Sequence, residues 1–111
     1  MQISAFVQKT GFEVICFPDP SATVTAGYTS DLLSDVIANC PEASVLITVQ
    51  NHKNSVAVCT LVGAVAILVT HERDIPKEML DAATMEHIAI LRTPMNQFQA
   101  TCAVANTLNG Q

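Results

Sequence analysis

The sequence predicts an α/β fold, a three-layer α/β/α sandwich whose central sheet is mostly parallel and has about four or five strands. After residue 44, an apolar run, a polar segment and a helical pattern follow one another three times, which is the order of parallel βαβ units. The apolar runs VLITV and AVAILV are continuous rather than alternating, as in strands covered on both faces. With 111 residues, 50% of them hydrophobic, the chain predicts one domain over residues 1–111.

The first quarter of the chain predicts one helix and two short strands. Apolar residues at helical spacing indicate an amphipathic helix over residues 3–10, which Gly11 ends. The β-rich run EVICF predicts a strand over residues 13–17, closed by the turn-forming run PDPS. A second strand is predicted over residues 23–26, ending at Gly27.

The run GYTSDLLSDVIANC predicts the next helix. Ser30 is a good N-cap, and a carboxylate at Asp31 suits the first turn of a helix. Four residues at helical spacing form the stripe expected to face the core: Leu32, Leu33, Val36 and Ile37.

The remaining chain repeats the pattern of strand and helix. We expect a strand at residues 45–49, a helix at 52–61 capped by Asn51 and ended by Gly63, and a strand at 64–69. A helix beginning near Pro76 carries Met79, Leu80, Ala83 and His87 at helical spacing, and a strand follows at 88–91. Asn96 and Gln99 predict a capping box for the last helix, whose expected core residues are Phe98, Cys102, Ala105 and Leu108.

Polar residues collect where the predicted parallel strands end. Because these ends share one edge of a sheet, and because ligands of open α/β sheets bind at that edge, we take them as candidate ligand-binding residues. They are Tyr28, Thr29, Ser30, Asp31, Gln50, Asn51, His52, Thr70, Arg73 and Thr93. Helix amino termini at the same edge offer N–H groups to an anion. The alternative is that these side chains only cap helices and close turns.

Composition and motifs exclude several classes of function. The net charge is −5 and the five basic residues are scattered, so we expect no nucleic-acid partner. The longest apolar run is too short to span a bilayer and the amino terminus lacks a secretory signal, so we expect no membrane contact and a cytoplasmic location. No catalytic motif is present, and we expect no enzyme and no catalytic residue. The enzymatic alternative uses His52 or His71 as acid/base with Glu72 or Asp31.

The four cysteines are widely spaced. No metal-ligand spacing occurs among them, so we expect no metal and no cofactor. Cys16, Cys59 and Cys102 lie in apolar segments and are expected in the core, whereas Cys40, beside Pro41, is expected to be exposed.

Four runs resemble the DRTGG domain family: GYTSDLLSDVIANC, VLITVQNHKNSVAV, AVAILVTHERDIP and IAILRTPMNQF, from about residue 22 to the end. The resemblance implies a small α/β domain similar to the amino-terminal, non-catalytic domain of HPr kinase/phosphorylase. It also implies a regulatory role, contacts in a homodimer and an adenine-nucleotide-responsive region. Where the family carries Thr-Gly-Gly, this chain has Thr70-His71-Glu72, which we expect to restrict the turn and to repel phosphate.

Two functions fit these observations. The first is a non-enzymatic regulatory module, free-standing and homodimeric, that senses an adenine nucleotide or another small anionic metabolite at the strand edge. The second is a protein–protein interaction adaptor without a small ligand, associated with a redox or signalling complex. The high apolar fraction of so short a chain favours an exposed interface in either case.

Overall fold

A computed structural model of the chain describes residues 1–110 and confirms the three-layer α/β/α fold. The helices are α1 (Ile3–Thr10), α2 (Leu33–Asn39), α3 (Lys53–Val62), α4 (Lys77–Met85) and α5 (Gln97–Leu108). The strands are β1 (Glu13–Cys16), β2 (Ala26–Thr29), β3 (Ser44–Thr48), β4 (Ala66–Val69) and β5 (Ala89–Arg92). Within the described chain, no helix is both long enough and apolar enough to cross a membrane.

The five strands form one sheet in the order β1-β5-β4-β3-β2. The neighbours from β2 to β5 pair in parallel, as the βαβ order predicts, and β1 adds an antiparallel edge strand to β5. A break in register between Val14 and Cys16 distorts this edge strand. Such an irregularity makes an open edge a poorer template for pairing with another chain.

The position of β2 corrects the sequence prediction, which put a strand at residues 23–26. Residues 22–24 pair instead with the amino end of the chain, since Ile3 N donates to Ala22 O (2.8 Å) and Val24 N to Met1 O (2.7 Å). The strand begins only at Ala26, and Gly27 lies inside it rather than at its end. A Cβ at Gly27 would stand 2.9 Å from Val104 Cγ1, so glycine lets α5 pack closely on β2.

Two hydrophobic cores explain the continuous apolar runs. Successive residues of one strand serve opposite faces: Val45 and Ile47 pack with α1 and α5, whereas Leu46 packs with α2, α3 and α4. All residues of β3 and β4 are buried. Each fully buried Leu or Ile contributes about 1.5–3 kcal/mol of transfer free energy, so these strands dominate the core.

Local sequence correctly predicted the end of α3 and the start of α5. Gly63 ends α3 with a left-handed φ of 79°. The predicted capping box of α5 is confirmed, because Asn96 Oδ1 accepts from Gln99 N (2.9 Å) and Gln99 Oε1 accepts from Asn96 N (3.2 Å).

The predicted core face of α2 is wrong in two of its four residues. Val36 is buried and Leu33 half-buried, but Leu32 is 64% exposed and Ile37 49%. The helix has only seven residues and begins at Leu33, after both Ser30 and Asp31. A helix this short can turn only about one row of side chains toward the sheet.

The predicted core faces of α5 and α4 also need correction. The buried residues of α5 are Ala100, Val104 and Thr107, whereas Phe98, Cys102 and Ala105 are exposed and Leu108 is half-buried. The predicted and observed buried residues differ by about two positions, which is roughly 200° around a helix. Because α5 has apolar residues on both sides, the sequence did not show which side is buried. We expected His87 on the apolar face of α4 or at the end of that helix. It lies just past the C-cap Glu86, exposed, at a φ of 58°.

Candidate functional site

The carboxyl ends of the four parallel strands meet at one edge of the sheet, as predicted. The strands end at Thr29, Thr48, Val69 and Arg92, and the loops that follow lead into α2, α3, α4 and α5. All ten candidate residues lie at or next to these ends. The structure therefore brings them to one side of the molecule, although their side chains do different things there.

Asp31 joins three of the loops. Its Oδ1 accepts hydrogen bonds from Thr48 Oγ1 (2.9 Å), Val49 N (2.9 Å) and Gln97 Nε2 (2.7 Å), and Gln50 Nε2 donates to its carbonyl oxygen (2.8 Å). The expectation that Asp31 sits in the first turn of α2 is wrong. Its carboxylate points toward β3 and α5 because that is where its donors lie. Asp31 and Gln50 thus hold the edge together.

Three threonines close the strand ends from inside. Thr48, Thr70 and Thr93 are buried at the ends of β3, β4 and β5. Thr70 N donates to Thr48 O (3.1 Å), and Thr93 Oγ1 accepts from Met95 N (3.3 Å). The Thr70 hydroxyl also donates to Thr48 O (3.5 Å), so the hydroxyls of Thr70 and Thr93 bind the backbone, whereas the Thr48 hydroxyl donates to the Asp31 carboxylate. At the exposed end of β2, Thr29 Oγ1 instead shares a 2.7 Å hydrogen bond with Thr101 Oγ1 of α5.

The side chain of Tyr28 is hydrogen-bonded to α2. Its hydroxyl donates to Asp35 Oδ2 (2.7 Å), and Asn39 Nδ2 donates to Asp35 Oδ1 (2.9 Å). This hydrogen bond to a carboxylate raises the pKa of Tyr28, and the Tyr28 and Asn39 hydrogen bonds lower the pKa of Asp35. The phenol is therefore neutral and oriented toward Asp35.

The predicted capping roles of Ser30 and Asn51 are both wrong. Ser30 Oγ accepts from Leu32 N (3.2 Å), but Leu32 is the N-cap of α2. Asn51 precedes the N-cap His52, and its Nδ2 donates to Asp74 O (2.7 Å), which ties the start of α3 to the loop before α4. Both side chains fix loops rather than cap helices.

The turn after β4 retains the backbone that glycines favour. His71 and Glu72 have φ values of 60° and 53°, and Arg73 N donates to Thr70 O (3.4 Å), as in a type I′ turn. The side chains therefore do not prevent the left-handed conformation, contrary to our expectation. Hydrogen bonds from His71 N to Met95 O (3.0 Å) and from Glu72 N to Thr93 O (2.9 Å) hold it. Each such residue costs about 1–2 kcal/mol.

The exposed side chains at this edge carry mixed charge. His52, His71, Glu72 and Arg73 are all exposed. Glu72 Oε1 lies 3.7 Å from Arg92 Nε, and Arg92 also binds Glu13 through two hydrogen bonds of 2.8 and 3.2 Å, which lower the pKa of Glu13. Among the residues described, Arg73 has no carboxylate within 4.0 Å. Its guanidinium is thus available to an anion.

A cavity of about 360 Å³ opens between the first turns of α3 and α4. Neither helix has a side-chain cap at its start, so no capping side chain occupies the first-turn N–H groups next to this cavity. Lys53 Nζ and Glu78 Oε2 are 4.0 Å apart, so one cation and one anion share the rim. The lining is His52, Lys53, Asn54, Pro76, Glu78 and Met79.

The sequence predicted only part of this lining. Of the ten candidate residues, only His52 lines the cavity. The other lining residues, Lys53, Asn54, Pro76, Glu78 and Met79, were not among those candidates. One sequence feature could have identified them: the predicted helices that became α3 and α4 each begin directly after the polar segment that ends a strand. Metal-ligating side chains do not gather in groups of three or more anywhere in residues 1–110. Within that range the structure shows no hydrogen bond between the His52 or His71 side chain and a carboxylate, and the Asp31 carboxylate binds Thr48, Val49 and Gln97 instead.

Comparison with known proteins shows a likeness in fold to a solved structure. No family model matches the chain, and no curated protein matches it. A crystal structure of the CBS and DRTGG domains of the regulatory region of Clostridium perfringens pyrophosphatase, complexed with the activator diadenosine tetraphosphate, matches with a TM-score of 0.71. The identity is 14%, over 93% of this chain and 45% of that one. The chain thus shares the fold of part of a nucleotide-binding regulatory region and spans less than half its length.

Proposed function

We propose that this chain is a non-catalytic, DRTGG-like regulatory module that binds a small anionic metabolite and acts as a homodimer. The observation that carries the proposal is the likeness to the pyrophosphatase regulatory region over 93% of the chain. An adenine nucleotide is the first candidate ligand, because that region was crystallised with a dinucleotide activator. The more distant relation to the HPr kinase/phosphorylase domain and the cytoplasmic location remain predictions.

The geometry of the strand edge supports the ligand part of the proposal. Two helix amino termini open onto the cavity beside Lys53, and the neighbouring turn presents Arg73. Helix dipoles and cations favour a phosphate or carboxylate group. Glu72 and Glu78 oppose a highly charged ligand, so we expect modest affinity and a preference for ligands with few charges, such as a nucleoside monophosphate.

Isothermal titration calorimetry with AMP, ADP, ATP, diadenosine tetraphosphate and inorganic phosphate tests this proposal. We expect saturable heat with at least one of them, and an affinity about tenfold weaker for Arg73→Ala, since a charge-assisted hydrogen bond is worth about 1.5–3 kcal/mol. Lys9→Ala, which removes an equal charge from the exposed side of α1, is the matched control. Silence of the folded protein across the whole panel contradicts the ligand part.

An adaptor without a small ligand is the second candidate, and one observation favours it. Leu32 is 64% exposed and Phe98 78%, and each directly follows a member of the hydrogen-bonded pair Asp31–Gln97. Large apolar side chains left in water next to a rigid polar contact are typical of protein interfaces. This reading, with a partner in a redox or signalling complex, predicts no heat with any of the five ligands. It also predicts that Phe98→Ser abolishes partner binding without changing the fold.

A further inference from the structure

After its first residue, Lys53, the outward face of α3 carries no charge. Its other exposed residues are Asn54, Ala57, Thr60 and Leu61, and residues 54–70 contain no Asp, Glu, Lys or Arg. The solvent face of a surface helix normally carries charged residues. α3 is moreover the middle helix of its layer and packs against both α2 and α4. An uncharged strip therefore runs through the centre of this face in a chain of net charge −5.

A groove of about 440 Å³ lies along this strip, between α3 and α4. Met85, which lines the groove, is 79% exposed, and Leu61 of α3 is 69% exposed. Val56, Ala57 and Ala82 also line it, and the small side chains of the two alanines allow a helix to approach closely. Apolar side chains beside a shallow apolar groove are the pattern of a helix-packing surface without its partner.

The two ends of the groove have opposite charge. α3 and α4 each follow a strand of the same parallel sheet, so both run away from the strand-end edge. Lys53, the first residue of α3, therefore lies at one end, and Glu86, the C-cap of α4, lies at the other. A helix of this length spans about 15 Å. The 4.0 Å contact of Lys53 with Glu78 is exposed and weak, which leaves Lys53 able to take another partner.

We infer that a second copy of this chain docks on the groove with its α3 antiparallel to the first, around a two-fold axis at Ala57. This inference rests on the proposed homodimer and names its interface. In this arrangement each Lys53 meets Glu86 of the other copy, whereas a parallel arrangement would bring like charges together. Ala57 lies at the middle of α3, where a small side chain lets two helices approach closely. The uncharged strip keeps like charges of two acidic chains away from the centre of the contact.

Sedimentation velocity over a range of concentrations tests the interface by comparing two single variants, each with an alanine replaced by glutamate at a different position. Ala57→Glu puts two carboxylates at the axis and should weaken self-association at least tenfold. Ala105→Glu adds the same charge to an exposed position of α5, on the opposite face of the sheet, and should leave association unchanged. Both sites are exposed and helical, where glutamate is tolerated, and circular dichroism verifies the fold.

Charge exchange at the ends of the groove tests the antiparallel orientation. Lys53→Glu and Glu86→Lys should each weaken the dimer, and the double variant should recover most of the wild-type association, because the pairs re-form with exchanged signs. A monomeric wild type overturns both this interface and the proposed homodimer. A dimer equally insensitive to Ala57→Glu and Ala105→Glu overturns the interface alone, and absence of recovery in the double variant overturns the antiparallel orientation.

Discussion

Asp31 Oδ1 accepts a 2.7 Å hydrogen bond from Gln97 Nε2, which joins the loop after β2 to the first turn of α5 across 66 residues of sequence. The same oxygen accepts from Thr48 Oγ1 and Val49 N, so one carboxylate links three loops of the candidate site. A binding edge built from loops must be held in one arrangement before a ligand arrives. Asp31 supplies that rigidity, so removing its carboxylate should lower both the free energy of unfolding and the affinity for a ligand.

Asp31→Ala should lower the free energy of unfolding by about 2–3 kcal/mol, because it leaves partly buried donors without an acceptor. Asp31→Asn keeps an oxygen acceptor and should cost about 1 kcal/mol. Urea unfolding followed by circular dichroism measures both. The control is Asp81→Ala, which removes only an exposed pair with Lys77 and should change stability by less than about 0.5 kcal/mol. Equal effects of Asp31→Ala and Asp81→Ala would refute the linking role.

Glu72→Gly should raise the free energy of unfolding by about 1 kcal/mol, since glycine takes a φ of 53° without strain. The exposed 3.7 Å contact with Arg92 that it removes is worth little. Glu78→Gly, the same change in the first turn of α4, should instead lower stability by about 0.5–1 kcal/mol. Thermal unfolding of the two variants decides the point, and a destabilised Glu72→Gly protein would show that the turn is not strained.

The Tyr28–Asp35 pair should give stability a dependence on pH at both extremes. The pKa of Asp35 is lowered from 3.8, so the stabilisation is present above pH 3.8 and is lost as pH falls through the folded value. The pKa of Tyr28 is raised from 10.0, so the stabilisation is present below pH 10.0 and is lost as pH rises through the folded value.

Urea midpoints of wild type and Tyr28→Phe across this range should therefore differ most near neutral pH and converge at both ends. Asp35→Asn has no carboxylate to protonate and should lose the acidic limb of the profile. A wild-type advantage over Tyr28→Phe that stays constant from acid to alkali would contradict the assigned hydrogen bond.

The thiols should differ sharply in reactivity. Cys102 is exposed on α5, whereas burial raises the pKa of Cys59 to about 12 and also raises that of Cys40. Titration with an aromatic disulfide at neutral pH should show one fast thiol, which Cys102→Ser removes. The remaining thiols should react only on unfolding. A fast phase that survives in Cys102→Ser would show that Cys40 is accessible and reactive.

The sequence predicted β3, β4 and the start of α5 well because short local patterns determine these elements. β3 and β4 are covered on both faces, so their residues are all apolar except Ser44 and Thr48 at the two ends of β3, and a continuous run such as AILV identifies them. The capping box of Asn96 and Gln99 is a local motif and needed no tertiary information. The start of β2 was misplaced because residues 22–24 pair with the distant amino end of the chain.

The candidate site was harder to predict because it depends on contacts between distant residues. Asp31 was recognised as important at the edge, but its donor Gln97 is 66 residues away and no local pattern joins them. The cavity exists because the starts of α3 and α4 lie side by side, which only the sheet order decides. Phe98 was expected inside because α5 has apolar residues around most of its circumference, which obscures its buried face.

Nucleotide binding at the strand edge is tested most directly by a nuclear magnetic resonance titration of the ¹⁵N-labelled protein with AMP and then with ATP. We expect saturable shifts at the amides of residues 51–54 and 71–73, around the cavity and the turn after β4, and smaller shifts elsewhere. Shifts confined to other surfaces would place any ligand away from the strand edge. An unchanged spectrum at millimolar nucleotide would contradict the claim that this edge senses an adenine nucleotide.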